Sequence, residues 1–146
     1  PVERMDKRFA RKTPMLCIEY EGYLLAIDIG YVRKKGAVNF FVGPNALLAV
    51  YDRGLEVVRL FNRQIWAEPF LFIAQNGKLL DLTTRSQWDT ATGVALDGNM
   101  KGASMPQFYG AYSMWFAWYS INPETLTIPG PGEVPEKLLS PAPPGQ

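Results

Sequence analysis

The densest group of polar side chains that could do chemistry lies between residues 81 and 89, where carboxylates, hydroxyls and an indole follow one another closely. Within it, Asp81 could act as an acid or a base, and Thr84 or Ser86 could bind a ligand. The same residues could instead form a tight connection, because Asp and Thr side chains readily satisfy nearby backbone amides. Trp88 would then anchor that connection in the core. The segment therefore predicts either a polar pocket or a structural turn.

If the segment is a pocket, we predict that it belongs to a small-ligand-binding protein or an enzyme. The side chains that would bind the ligand are Asp81, Thr84, Ser86 and Trp88, joined by Arg63 from upstream.

The composition of the chain argues against most residue-based catalysis. The 146 residues include no histidine and one cysteine. Without an imidazole there is no Ser-His or Cys-His pair, no His-ligated zinc and no imidazole proton shuttle. One cysteine cannot form an internal disulfide or a thiolate cage. We therefore predict no catalytic residues, no metal site and no cofactor, and we favour a non-catalytic protein over an enzyme.

The glycine-rich segment from Gly93 to Gly102 is the other motif that could bind a ligand. It lacks the Gly-Lys-Ser/Thr ending of a phosphate-binding loop. Its oxygen-bearing side chains also lack the regular spacing and the final Glu of a calcium loop. Neither a nucleotide nor a calcium ion is predicted here.

Charge is unevenly distributed along the chain. Residues 1–12 carry five basic and two acidic side chains, whereas the whole chain has a net charge of only +1. The central part is nearly neutral, and a nucleic-acid-binding domain would show a concentrated basic face. We predict no nucleic acid partner and interpret the N-terminal arm as a solvated charged segment.

The pattern of short apolar runs separated by turn residues indicates a mainly β fold, either a sandwich or a partly open barrel. Residues 46–51 read as a central strand buried on both faces, and residues 75–78 read as a hairpin turn. Large residues at helical spacing over 112–119 predict one short helix packed on the sheet. Its predicted apolar face comprises Tyr112, Trp115, Phe116 and Tyr119. No apolar run approaches the roughly 20 residues of a transmembrane helix.

We predict three regions: a basic N-terminal arm over 1–13, a single β-rich domain over 14–128, and a Pro-rich tail over 129–146. The tail contains six of the 12 prolines, so it should be extended.

Several of these residues together resemble the bacterial and archaeal domain of unknown function 3179 family. The similar features are the Asp-x-x-Thr-x-Ser-x-Trp core of residues 81–88, the glycines that follow it, the later Trp115-Phe116-Ala117-Trp118 and Pro123-Glu124-Thr125. Upstream, Val38-Asn39 and the strand 46–51 fall in the expected order, so the resemblance covers roughly residues 14–128. It implies a fold and no particular activity.

The chain departs from that family at one position. Members commonly carry Cys-Pro-x-Cys-Gly just after the central strand, whereas this sequence reads Val50-Tyr51-Asp52-Arg53-Gly54. Family chains are often longer and exported, so this one resembles a compact version, and the resemblance favours a location outside the cytoplasm.

The sequence as a whole predicts a non-catalytic binding or structural module. A subunit of a larger assembly is one form that such a module could take. Its partner would be another protein or further copies of itself, held through the terminal arms.

Overall fold

The computed structural model describes residues 8–140 and is built mainly from β-strands, with two short α-helices. The strands are β1 (Pro14–Tyr20), β2 (Tyr23–Asp28), β3 (Ala37–Val42), β4 (Asn45–Asp52), β5 (Val57–Asn62), β6 (Phe72–Gln75), β7 (Lys78–Asp81), β8 (Gln87–Trp88), β9 (Gln107–Phe108), β10 (Ala111–Met114) and β11 (Leu126–Ile128). The helices are α1 (Ile29–Lys35) and α2 (Trp115–Ile121).

The strands form three sheets. Sheet 1 has the order β10-β1-β2-β11, sheet 2 the order β3-β4-β5-β9, and sheet 3 the order β6-β7-β8. All strand pairs are antiparallel except β2 with β11. The prediction of a mainly β, sandwich-like fold is confirmed.

Sheet 2 lies in the middle of the molecule, and its strand β4 is buried on both faces. Leu47 and Ala49 pack in the core shared with sheet 1, whereas Leu48 and Val50 pack in the core shared with sheet 3. Successive strand residues point to opposite faces, so a continuous apolar run can fill two cores at once. The prediction of a doubly buried central strand is confirmed.

One segment passes directly from sheet 2 to sheet 1. Residues 107–108 pair with β5 as β9, and residues 111–114 pair with β1 as β10. Gly110 lies between them in close contact with β1, where a Cβ would overlap the Ile18 Cγ2 and stand 2.8 Å from the Cys17 carbonyl oxygen. Glycine is required at this crossing because no side chain fits.

Helix α1 follows β2 directly and is a second helix, whereas the sequence pattern predicts only one. The strand ends at Asp28, whose Oδ1 accepts a hydrogen bond from the Tyr31 N–H at 3.2 Å. The helix ends at Gly36, which has a φ of +83°. Asp before a helix and Gly after it are ordinary helix boundaries, and here they outweigh the short apolar pattern.

Helix α2 lies on sheet 1 as predicted, but it begins three residues later. Tyr112 belongs to the exposed strand β10, and Phe116 is 40% exposed. Trp115 is buried with Met15 and Cys17 of β1. Trp118 and Tyr119 pack partly against the same cluster, so the buried face of the helix is rotated from the predicted one.

The described parts of both terminal segments lie on this chain's own surface. The Phe9 ring packs edge-on against Trp115, with centroids 5.1 Å apart. In the tail, the Gly132 carbonyl accepts from the Phe41 N–H, and the Val134 N–H donates to the Asn39 carbonyl, both at 2.8 Å. The tail thus covers the outer edge of β3.

The side chain of Asn39 joins sheet 2 to sheet 3. Its amide nitrogen donates to the Phe72 carbonyl at 2.8 Å, and its Oδ1 accepts from the Phe72 N–H at 2.9 Å. Asn39 is buried, and so is Phe72. The carboxamide therefore takes the place of a neighbouring strand for β6.

Replacing Asn39 with Leu will lower the free energy of unfolding by about 2–4 kcal/mol, since both Phe72 backbone groups lose their partners while remaining buried. Urea denaturation measures this loss. Asn45→Leu is the control, because Asn45 makes a single side-chain bond, to the Val42 carbonyl, and is only partly buried. Equal losses in the two variants would contradict the role given to Asn39.

Candidate functional site

Four of the five predicted ligand-binding residues meet in one hydrogen-bonded cluster centred on Asp81, which we call the Asp81 cluster (Asp81, Thr84, Ser86 and Trp88). The Trp88 indole N–H donates to the Asp81 Oδ2 at 2.8 Å. The Thr84 hydroxyl lies 2.7 Å from the same oxygen, and the Thr84 backbone N–H donates to Oδ1. The Thr84 and Ser86 hydroxyls are 2.8 Å apart.

The local chain explains why these residues meet. Strand β7 ends at Asp81, and a turn closed by the Arg85 N–H and the Asp81 carbonyl, 2.9 Å apart, returns the chain to β8. Arg85 has a φ of +61° in that turn. Gly98 packs against the turn, because a Cβ there would stand 2.5 Å from the Ser86 Oγ. The turn therefore aims the polar side chains inward.

Burial determines what the Asp81 cluster can do. Asp81 is 0% exposed, and Ser86 and Trp88 are each 1% exposed. The Trp88 ring also packs edge-on against Phe72, with centroids 5.4 Å apart, inside the core between sheets 2 and 3. Both carboxylate oxygens already accept hydrogen bonds, so a ligand would have to displace internal partners. The geometry matches the structural turn considered in the sequence analysis, and ligand binding by these residues stays a prediction.

Arg63 makes its hydrogen bonds away from the Asp81 cluster. Its guanidinium donates to the carbonyls of Leu47, Phe70 and Phe40 at 2.8, 3.0 and 3.2 Å. It lies 4.8 Å from the centre of the Phe41 ring and is 0% exposed. Burial lowers the pKa of Arg63 to about 10, which still leaves it protonated at neutral pH. Arg63 thus fastens the segment before β6 to sheet 2.

At residues 50–54, where the sequence departs from the family that it resembles, side-chain contacts hold the turn after β4. Asp52 ends β4; its Oδ1 accepts from the Gly54 N–H at 3.0 Å, and its Oδ2 accepts from the Arg59 Nε at 2.9 Å. Burial of this carboxylate opposes its ionisation, but these hydrogen bonds prevail and leave the pKa of Asp52 below its usual value. An ion pair closes the β4–β5 turn in this chain.

A pocket that the sequence analysis did not anticipate lies where sheet 3 meets the edge of sheet 2. It has a volume of about 260 Å³ and is bounded by Lys35, residues 37–39 of β3, residues 72–75 of β6 and tail residues between 133 and 140. Sequence patterns could not reveal it, because its walls come from three segments that are far apart in the chain.

Two polar contacts hold the tail wall of this pocket. The Tyr31 hydroxyl lies 2.8 and 2.7 Å from the two carboxylate oxygens of Glu133. Burial of the Tyr31 hydroxyl, together with this contact, raises its pKa. The Lys35 Nζ lies 3.6 Å from the Glu136 Oε2.

Comparison with protein family models gives a match that covers residues 1–125 of this chain. The chain therefore belongs to the family described as protein of unknown function (DUF3179). Neither the curated proteins nor the solved structures give a significant match. Within residues 8–140 no helix is long and apolar enough to cross a membrane.

Replacing Asp81 with Ala will lower the free energy of unfolding by about 3 kcal/mol, because the buried Trp88 N–H and the partly buried Thr84 hydroxyl lose their hydrogen-bond partner. Urea denaturation measures the loss. Glu124→Ala, at an exposed position, is the control and should change stability by less than about 0.5 kcal/mol. Unchanged stability in Asp81→Ala would contradict a structural role.

The Cys17 thiol is expected to be inert in the folded protein. Cys17 is 3% exposed, and burial raises its pKa to about 12, so the reactive thiolate is scarce at neutral pH. A disulfide reagent at pH 8 should label the native protein at least about 100-fold more slowly than the protein in urea, where the thiol has its ordinary pKa of about 8.5. Similar rates in the two conditions would show that Cys17 is accessible.

Proposed function

We propose that this domain is a non-catalytic binding module that takes an extended segment of a protein partner along the outer edge of β10. The proposal rests on one observation: the outer edge of β10 has no neighbouring strand among residues 8–140. In the part of the chain that the structure describes, β10 pairs with β1 on one side and is the last strand of sheet 1. An edge strand exposes backbone groups that can pair with another chain.

The register identifies the backbone groups that point outward. The Trp115 N–H donates to the Thr13 carbonyl at 2.9 Å, so in this antiparallel pair Ser113 and Ala111 also bond toward β1. By alternation, the N–H and C=O groups of Tyr112 and Met114 point away from the sheet. They present the donors and acceptors that an added strand needs.

The sequence around β10 lacks the usual protection of an edge strand. Proteins guard such edges with charged side chains, especially lysine. Residues 102–123 contain no Asp, Glu, Lys or Arg. The exposed side chains are instead large and apolar: Tyr109 is 76% exposed, Tyr112 62% and Met114 44%. Exposed aromatic and Met side chains are typical of protein-binding surfaces.

The chain already shows strand addition at its other main edge. Residues 132–134 of the tail lie along β3 and form two backbone hydrogen bonds of 2.8 Å with it. The edge of β3 is thereby covered from within the chain, whereas none of residues 8–140 pairs with the outer edge of β10. A second copy of this chain is one partner that such an edge could take, and binding through the terminal arms stays a prediction.

The hydrogen bonds of the buried polar side chains support the non-catalytic part of the proposal. Within residues 8–140, every buried side-chain nitrogen and oxygen has a hydrogen-bond partner. The strongest candidate for an acid or base, Asp81, is fully buried and hydrogen-bonded on both oxygens. These contacts support a structural role for the buried polar groups.

The proposal is tested by selecting binders from a displayed library of extended 12-residue peptides and then measuring their affinity for Tyr112→Pro. Proline removes the outward N–H of Tyr112 but no hydrogen bond to β1, so the fold is retained. Selected peptides should bind this variant at least tenfold more weakly.

Tyr112→Ala is the matched control, because it keeps the backbone N–H and removes only the side chain. It should lose less affinity than Tyr112→Pro. Thermal unfolding of both variants checks that the fold is intact. Peptides that bind Tyr112→Pro as tightly as the original chain, or a selection that yields none, would overturn the proposal.

A further inference from the structure

Strand β3 of sheet 2 and strand β6 of sheet 3 lie side by side, and we call the line between them the seam. At one point the side-chain carboxamide of Asn39 joins the two strands across it. Strand β6 is the edge of sheet 3, and the N–H and C=O of Phe72 point away from β7. Both groups are hydrogen-bonded by the side chain of Asn39. A planar group with adjacent donor and acceptor atoms is thus what this seam accepts.

The next position along the seam has no such group. Residues two apart in a strand share a face, so the Ala37 side chain points toward sheet 3 as Asn39 does. By the same alternation, the N–H and C=O of Ala74 point outward as those of Phe72 do. The two strands remain close, since a Cβ on Gly36 would stand 2.6 Å from the Ala74 Cβ. The methyl group of Ala37, however, can neither donate nor accept a hydrogen bond.

The pocket of about 260 Å³ lies at this position, and both Ala37 and Ala74 line it. Liquid water occupies roughly 30 Å³ per molecule, so the pocket has room for a small organic molecule in place of about eight waters. Its apolar wall includes Ile73, Val134 and Leu139.

The charged groups at the pocket already have partners. Glu133 accepts from the Tyr31 hydroxyl, and Glu136 is paired with Lys35. A charged ligand would have to compete with these contacts, whereas a neutral amide would not. The pocket is therefore better suited to a neutral polar group attached to a short apolar part.

We propose that this pocket binds a small neutral molecule that carries a primary carboxamide or a cis-lactam. The amide nitrogen of the ligand donates to the Ala74 carbonyl, and its oxygen accepts from the Ala74 N–H, as Asn39 does with Phe72. The hydrocarbon part of the ligand packs against Ile73, Val134 and Leu139. This site is separate from the β10 edge, and its existence does not depend on the proposed partner.

The test is a titration of the ¹⁵N-labelled chain with pyrrolidin-2-one, a cis-lactam, followed by amide chemical shifts. Cyclopentanone has the same ring size and carbonyl but no N–H, and serves as the matched control. Pyrrolidin-2-one should give a saturable shift of the Ala74 amide with an affinity at least fivefold higher than that of cyclopentanone, as expected for one extra hydrogen bond. Equal responses to the two compounds, or shifts away from Ala74, would overturn the proposal.

Two variants sharpen the result. Ala37→Asn supplies the missing carboxamide from within the chain, so it should abolish the pyrrolidin-2-one response without lowering the melting temperature. Ala74→Pro removes the outward N–H and should also abolish the response, which provides a second test if Ala37→Asn does not fold. A folded variant of either kind that binds pyrrolidin-2-one as well as the original chain would contradict the proposed site.

The response to pyrrolidin-2-one should persist in Tyr112→Pro, because that substitution alters only the β10 edge. This variant therefore separates the pocket from the proposed partner-binding edge.

Discussion

The structure depends on the burial of sheet 2 on both of its faces. Residues 46–50 of β4 are all buried, and residues 47–50 alternate between the core shared with sheet 1 and the core shared with sheet 3. Complete burial of an aliphatic side chain contributes about 1.5–3 kcal/mol. Sheet 1 and sheet 3 are each held by packing on this one strand and its neighbours. Loss of sheet 2 would leave neither of the others with a complete core.

A sheet that is buried on both faces leaves backbone N–H and C=O groups near it without access to water. Charged and amide side chains supply the hydrogen bonds that these groups need. Carbonyls near the ends of β3 and β4 are taken up by the guanidinium of Arg63, and the edge of β6 is taken up by Asn39. Asp81 does the same for the turn between β7 and β8. Two of these residues, Arg63 and Asp81, are also predicted from the sequence to bind a ligand, and that prediction stays open. In the folded chain they fasten backbone segments that would otherwise carry unsatisfied groups in a dry interior.

The central strand and the hairpin at residues 75–78 were predictable because their signals are local. The run at 46–50 showed burial on two faces, and Asn76-Gly77, both with positive φ, form the predicted hairpin turn. The short helix α1 was missed because seven residues give too little periodicity to outweigh a preceding strand. In the candidate site, residues 81–88 are close in sequence and do meet, whereas Arg63 is far from them in sequence and bonds elsewhere. The pocket at the seam was not predictable, because it depends on how β3, β6 and the tail come together.

The crossing at Gly110 has a consequence for how the molecule comes apart. Residues 107–114 are one short stretch of chain that is hydrogen-bonded to sheet 2 at one end and to sheet 1 at the other. Two layers joined by so short a covalent link cannot slide or separate independently, since moving either one strips a strand from the other. Sheets 1 and 2 therefore form a single cooperative unit under heat or mechanical force.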